Sequence, residues 1–101
     1  MSRRLLVVDE ESALDLTRLL TDAGFEVVGT ARDGERAIEL AYERRPDLIL
    51  MNTELPKLDG LKASGIIHKA YRIPSLLMTS SGQKEHMEEM KKPYIMGYLV
   101  K

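Results

Sequence analysis

Short apolar runs and helical repeats alternate along this chain. Leu5-Leu6-Val7-Val8 is unbroken and ends in the acids Asp9 and Glu10, the pattern of a strand buried on both faces, and predicts β1. From Ser12 onward Ala13, Leu16, Leu20 and Ala23 recur at steps of three and four, and Gly24 stands where a left-handed cap would close the helix α1. Phe25 to Gly29 is short and β-prone, giving β2. Asp33-Gly34 then opens a segment with Ala37, Ile38 and Ala41 on one face, closed by Pro46, which predicts α2. Asp47 to Met51 predicts β3. After a polar loop through Pro56 and Asp59-Gly60, the residues Ala63, Ile66, Ile67 and Ala70 predict α3. Pro74 to Met78 reads as β4, Gln83 to Lys92 as a polar helix α4 stopped by Pro93, and Tyr94 to Val100 as β5.

Regular alternation with short connections implies βαβ units, hence an α/β fold: a parallel five-stranded sheet with right-handed crossovers and helices on both faces. Ligand sites in such folds lie beyond the carboxyl ends of the strands. Asp9-Glu10 follows β1, Asn52 follows β3, Thr79-Ser80 follows β4, and Lys101 ends β5. Four strand ends thus bring two acids, an amide, a hydroxyl and an amine to one rim. Carboxylates suit a hard divalent cation, while a hydroxyl and an ammonium suit phosphoryl oxygens.

Length and composition narrow the function classes. A chain of 101 residues is expected to form one domain over 1–101, and 44% apolar with 31% charged residues is ordinary globular usage, so the whole chain is expected to fold. A net charge of −1 provides no basic field, so direct nucleic-acid binding is not expected. The absence of Cys removes disulfides, zinc-thiolate sites and thiol catalysis. No apolar run approaches the length of a membrane span, and the apolar stretch at the N-terminus is too short for a secretory signal. A cytoplasmic location is the expectation.

Four blocks carry a resemblance: Leu-Leu-Val-Val-Asp9-Glu10-Glu11, then Pro46 through Met51-Asn52-Thr53-Glu54-Leu55-Pro56 to Asp59-Gly60, then Met78-Thr79-Ser80-Ser81, then Gly97-Tyr98-Leu99-Val100-Lys101. In this order the chain resembles the response-regulator receiver domains of two-component signalling. The resemblance implies a doubly wound, flavodoxin-like sheet of order 2-1-3-4-5 and a signalling role in a phosphorelay rather than an enzyme activity. It implies Mg²⁺ as cofactor, with Glu10 a direct ligand, Asp9 acting mainly through water, and the backbone carbonyl of Glu54 a further ligand. The phosphoacceptor position, also part of the metal site, falls on Asn52. Thr79 and Lys101 match the hydroxyl and lysine that hold the phosphoryl group, and Tyr98 matches the aromatic switch residue. The implied partners are a sensor histidine kinase or phosphotransfer protein, and a downstream protein docking on the face of α4 and β5 around Met87, Met90 and Tyr98.

Two departures stand out against that pattern. An amide has no anionic oxygen to attack phosphorus, so ordinary phosphotransfer is expected to fail at Asn52 and Mg²⁺ to bind weakly. Either an aspartate has been replaced so as to trap the unphosphorylated state, or the domain signals without phosphate. The sequence also stops at Lys101, where the family continues through a proline and a fifth helix. The expectation is a C-terminally truncated domain with one sheet face partly uncovered, prone to self-association through that face.

Blander roles fit the same residues. Asp9 or Ser12 suits the cap of α1 and Ser81 that of α4, while Asn52 suits a loop residue bonded to its own backbone. His68 and His86 have no second ligand at i+4 and read as surface residues. Arg3-Arg4, Arg44-Arg45 and Lys91-Lys92 read as solvated ends. A dehalogenase-like Mg²⁺-dependent phosphohydrolase is the enzyme alternative, but it needs an Asp-x-Asp pair where β1 here ends Asp-Glu-Glu. Neither glycine-rich nucleotide pattern occurs. A phosphorylation-independent interaction module is the principal alternative.

Overall fold

The computed structural model describes residues 3–79 and 92–100, the last by its backbone alone. Ser80, Ser81, His86, Met87, Met90, Lys101 and all of the α4 predicted over Gln83 to Lys92 except Lys92 lie outside the described residues. The elements are β1 (Arg4–Val8), α1 (Ala13–Asp22), β2 (Glu26–Ala31), α2 (Gly34–Arg44), β3 (Leu48–Asn52), α3 (Gly60–Tyr71), β4 (Ser75–Thr79) and β5 (Ile95–Val100). All neighbouring strands pair in parallel, in the order β2-β1-β3-β4-β5. From β1 the chain moves outward to β2, then crosses to the other side of β1 to form β3. The crevice of a doubly wound sheet opens at that reversal, between the carboxyl ends of β1 and β3.

The central strands are buried on both faces, as their unbroken apolar runs predict. Leu6, Val8, Ile49, Met51 and Leu77 point to one side, where they pack with Ala37, Leu40 and Ala41 of α2 and Ala63 and Ile67 of α3. Full burial of each large side chain among them contributes about 1.5–3 kcal/mol. The alternate residues Leu5, Val7, Leu50 and Met78 are also buried, on the side where α1 packs over β1 and β2. Three predicted core positions are instead exposed: Ala23, Ile66 and Ala70. The buried stripe of α3 runs through Gly60, Ala63, Ser64 and Ile67, which turns Ile66 one position away from it. Leu40, absent from the predicted face of α2, belongs to the core.

β2 begins later than predicted because α1 keeps Phe25, and it runs on to Ala31 because Thr30 and Ala31 pair with Val7 and Val8 of β1. The Phe25 amide donates to the Leu20 carbonyl at 3.0 Å and Gly24 to Thr21 at 3.1 Å, with Gly24 at φ 97°. This paired closure of a helix end requires the left-handed residue that Gly24 supplies, and it holds Phe25 outside the strand. At the amino ends of the strands, Arg4 is not a solvated residue. Its guanidinium donates to the carbonyls of Arg44 (2.6 Å) and Arg45 (2.9 Å), the last carbonyls of α2. The Arg45 guanidinium in turn lies 5.3 Å and 4.6 Å from the ring centres of Tyr42 and Tyr71. His68 is half-buried and stacks on Tyr94 with ring centres 4.5 Å apart, a contact the sequence did not indicate.

Candidate functional site

Asp9 leaves the end of β1 fully buried, at 1% exposure. Its amide donates to the Ala31 carbonyl (3.0 Å), which anchors it to the end of β2. Its Oδ1 accepts from the amides of Glu11 (3.1 Å) and Ser12 (3.3 Å), while the Ser12 side chain makes no cap bond to α1. The carboxylate therefore satisfies amides at the entrance to α1, where a negative charge is favoured. Glu10 is exposed, and its carbonyl accepts from the Arg32 guanidinium at 3.2 Å.

Asn52 is the last residue of β3 and is 8% exposed. Val8 registers with Met51, so Asp9 and Asn52 come one residue beyond that pair on adjacent strands. The Asn52 Oδ1 accepts from the Glu54 amide at 3.0 Å, the local bond that Asn makes to its own backbone two residues on. The loop that follows is closed at both ends: the Thr53 amide donates to the Met78 carbonyl (2.8 Å), and the Thr53 carbonyl accepts from Gly60 (3.0 Å). A Cβ at Gly60 would overlap the Asn52 carbonyl oxygen, so only glycine lets α3 start this close to β3. The Asp59 side chain accepts from the Lys62 amide at 2.9 Å and caps α3, and Asp33 caps α2 by accepting from Arg36 at 2.8 Å. Lys57, left-handed at φ 67°, brings its ammonium to 3.9 Å from Asp33 Oδ2.

Thr79 ends β4 and is buried at 2% exposure, so Asp9, Asn52 and Thr79 occupy the carboxyl ends of three adjacent strands. Glu10, Thr53 and Glu54 line an open cleft of about 520 Å³ beside them, together with Leu55, Pro56 and Asp59. Tyr98 lies apart from this group on the edge strand β5, level with Leu77 and 40% exposed. Lys101 is outside the described residues. Among the described residues no three His, Asp or Glu side chains come together as a metal cluster. Asp9 and Glu10 carry carboxylates, hard oxygen donors of the kind that suits Mg²⁺, whereas the Asn52 oxygen is engaged by the Glu54 amide.

Thr53, Lys57 and the two capping aspartates were not singled out from the sequence as parts of the site. The signal was present: both α2 and α3 open with Asp-Gly, at 33–34 and 59–60, and both caps come to the same rim.

The family described as response regulator receiver domain matches residues 5–101. The transcriptional regulatory protein PdtaR of Mycobacterium tuberculosis is 36% identical over 101 residues, which cover 98% of this chain and 49% of that protein. The protein-glutamate methylesterase/protein-glutamine glutaminase of Archaeoglobus fulgidus is 37% identical over 93 residues, 87% of this chain and 27% of that protein. The chain thus spans half or less of the length of these curated relatives. Among solved structures, the signal receiver domain of a modulated diguanylate cyclase from Desulfovibrio desulfuricans superposes with a TM-score of 0.90 at 29% identity, covering 100% of this chain and 82% of that one. The response regulator domain of Thermotoga maritima CheB gives 0.84 at 29% identity, covering 100% and 79%.

Proposed function

The chain belongs to the response regulator receiver domain family, and from that membership we propose that it is a two-component receiver whose phosphoacceptor position, Asn52, does not take a phosphoryl group. The observation that carries this reading is the identity and place of Asn52: buried at the end of β3, one strand from Asp9 and one from Thr79, with an amide in place of a nucleophilic carboxylate. Asp9, Glu10 and the Glu54 carbonyl would hold Mg²⁺ weakly, and Thr79 and Lys101 are the residues that would meet phosphoryl oxygens. Mg²⁺ there would neutralise the acids and orient a phosphoryl group.

The domain works as a non-enzymatic signalling module in the cytoplasm. Its upstream partner is a sensor histidine kinase or phosphotransfer protein, and its downstream partner docks beside Tyr98 on β5. The bond from the Glu54 amide to Asn52 favours a second version of the same reading, in which partner binding is independent of phosphorylation because the loop is already tied down. Among the described residues no helix is long and apolar enough to cross a membrane.

Incubation with Mg²⁺ and acetyl phosphate tests the proposal. The intact mass is expected to stay unchanged, and Asn52→Asp is expected to gain one labile phosphoryl group. A labile phosphoryl adduct on the unaltered chain overturns it.

A further inference from the structure

We propose that Asn52 actively weakens the site for divalent cations, because its one side-chain oxygen is committed to the Glu54 amide and its NH₂ group takes the place a second oxygen would have. The inference rests on the receiver reading above and concerns the atoms of this chain alone. A carboxylate has two equivalent acceptor oxygens, so one can accept from a backbone amide while the other faces a cation. A carboxamide divides those roles between an acceptor and a donor.

The amide orientation follows from the bond itself. The Glu54 N–H at 3.0 Å can be met only by Oδ1, since turning the group over would set two donors against each other. Nδ2 must then be the atom directed away from the loop, in a pocket where Asn52 is only 8% exposed and Asp9 leaves the neighbouring strand. An N–H donor complements carboxylates and repels a cation. The second lone pair on Oδ1 offers little relief, because a cation there would share its oxygen with the polarised Glu54 hydrogen. Mg²⁺ also demands near-ideal octahedral geometry, which leaves little room to avoid that hydrogen.

The consequence separates two meanings of the substitution. If Asn52 only lacks charge, an alanine at this position is no better for Mg²⁺, and worse if the amide oxygen is a ligand. If the NH₂ group and the committed oxygen oppose the cation, removing the amide leaves space for a water ligand and improves binding. The loop from Thr53 to Asp59 would be held by the same bond with or without Mg²⁺.

The test is calorimetric titration with Mg²⁺ alone of the unaltered chain, Asn52→Ala and Asn52→Asp, each checked for folding by circular dichroism. The expected order of affinity is Asp above Ala above Asn, with Ala severalfold tighter than Asn. Equal affinities, or Asn tighter than Ala, overturn the proposal. Hydrogen exchange at the Glu54 amide of the unaltered chain provides a second reading that needs no variant: protection is expected to persist at millimolar Mg²⁺. Loss of that protection on saturation would mean that the oxygen had switched to the metal, and would equally overturn it. No phosphodonor is present, so the outcome is independent of whether the unaltered chain can be phosphorylated.

Discussion

Residue 52, the proposed phosphoacceptor position, carries an amide where phosphotransfer would need a carboxylate, and its side chain bears on its neighbours. Introducing a carboxylate by Asn52→Asp places a third negative group at the rim that carries Asp9 and Glu10, which like-charge repulsion disfavours. The variant is therefore expected to unfold at a lower temperature than the unaltered chain in the absence of metal, and to regain stability on addition of Mg²⁺. Thermal unfolding with and without Mg²⁺ checks both halves, and an Asp variant that is more stable without metal contradicts the crowding of these acids. A second residue tests the core. The Ser75 hydroxyl is buried and has no hydrogen-bond partner among the described residues. Ser75→Ala removes that unmet group, and urea unfolding is expected to show a gain of up to about 1 kcal/mol.

At the scale of elements, the helix ends near the site are built from local chemistry that can be weakened singly. Asp59→Ala removes the cap of α3 and is expected to cost about 1 kcal/mol in urea unfolding. Two glycines separate conformational from steric demands. Gly24 has φ 97° and nothing within 4 Å of a Cβ built on it, so Gly24→Ala is expected to cost about 1–2 kcal/mol from backbone conformation alone. Gly60→Ala adds an overlap with the Asn52 carbonyl and is expected to cost more, because backbone at both ends of a closed loop must move. Similar costs for the two would mean that α3 can shift away from β3 without penalty. The caps were legible as Asp-Gly pairs, and the Gly24 turn as a glycine after a periodic segment. The retention of Phe25 by α1 was not legible, because Phe25 is as β-prone as the residues that follow it.

At the scale of the molecule, the described helices cover the sheet unequally. α2 and α3 pack on one side, and α1 lies over β1 and β2 on the other. On the side that carries α1, Leu14 and Leu19 are 80% and 66% exposed, and Leu99, level with the buried Met78, is 52% exposed. Exposed apolar side chains of this size favour association. The chain is expected to show a mass that rises with concentration in light scattering, and Leu99→Lys to lower it; a concentration-independent monomer would show that these side chains tolerate water. The amino-acid sequence by itself determined the element order, the parallel sheet and the rim that gathers Asp9, Asn52 and Thr79. Each rests on short-range information: apolar runs of strand length, helical spacing, and the polar residue at the end of each run. What only the tertiary structure decided depends on distant parts of the chain meeting. Arg4 acquires the last carbonyls of α2, and His68 acquires the ring of Tyr94. Asp9 is pinned by Ala31 while its carboxylate holds the turn that leads into α1, and the Thr53 loop is tied to Met78. No periodicity encodes such meetings, because side-chain chemistry names what a residue can bond but not which of many equivalent partners will arrive within 3 Å of it.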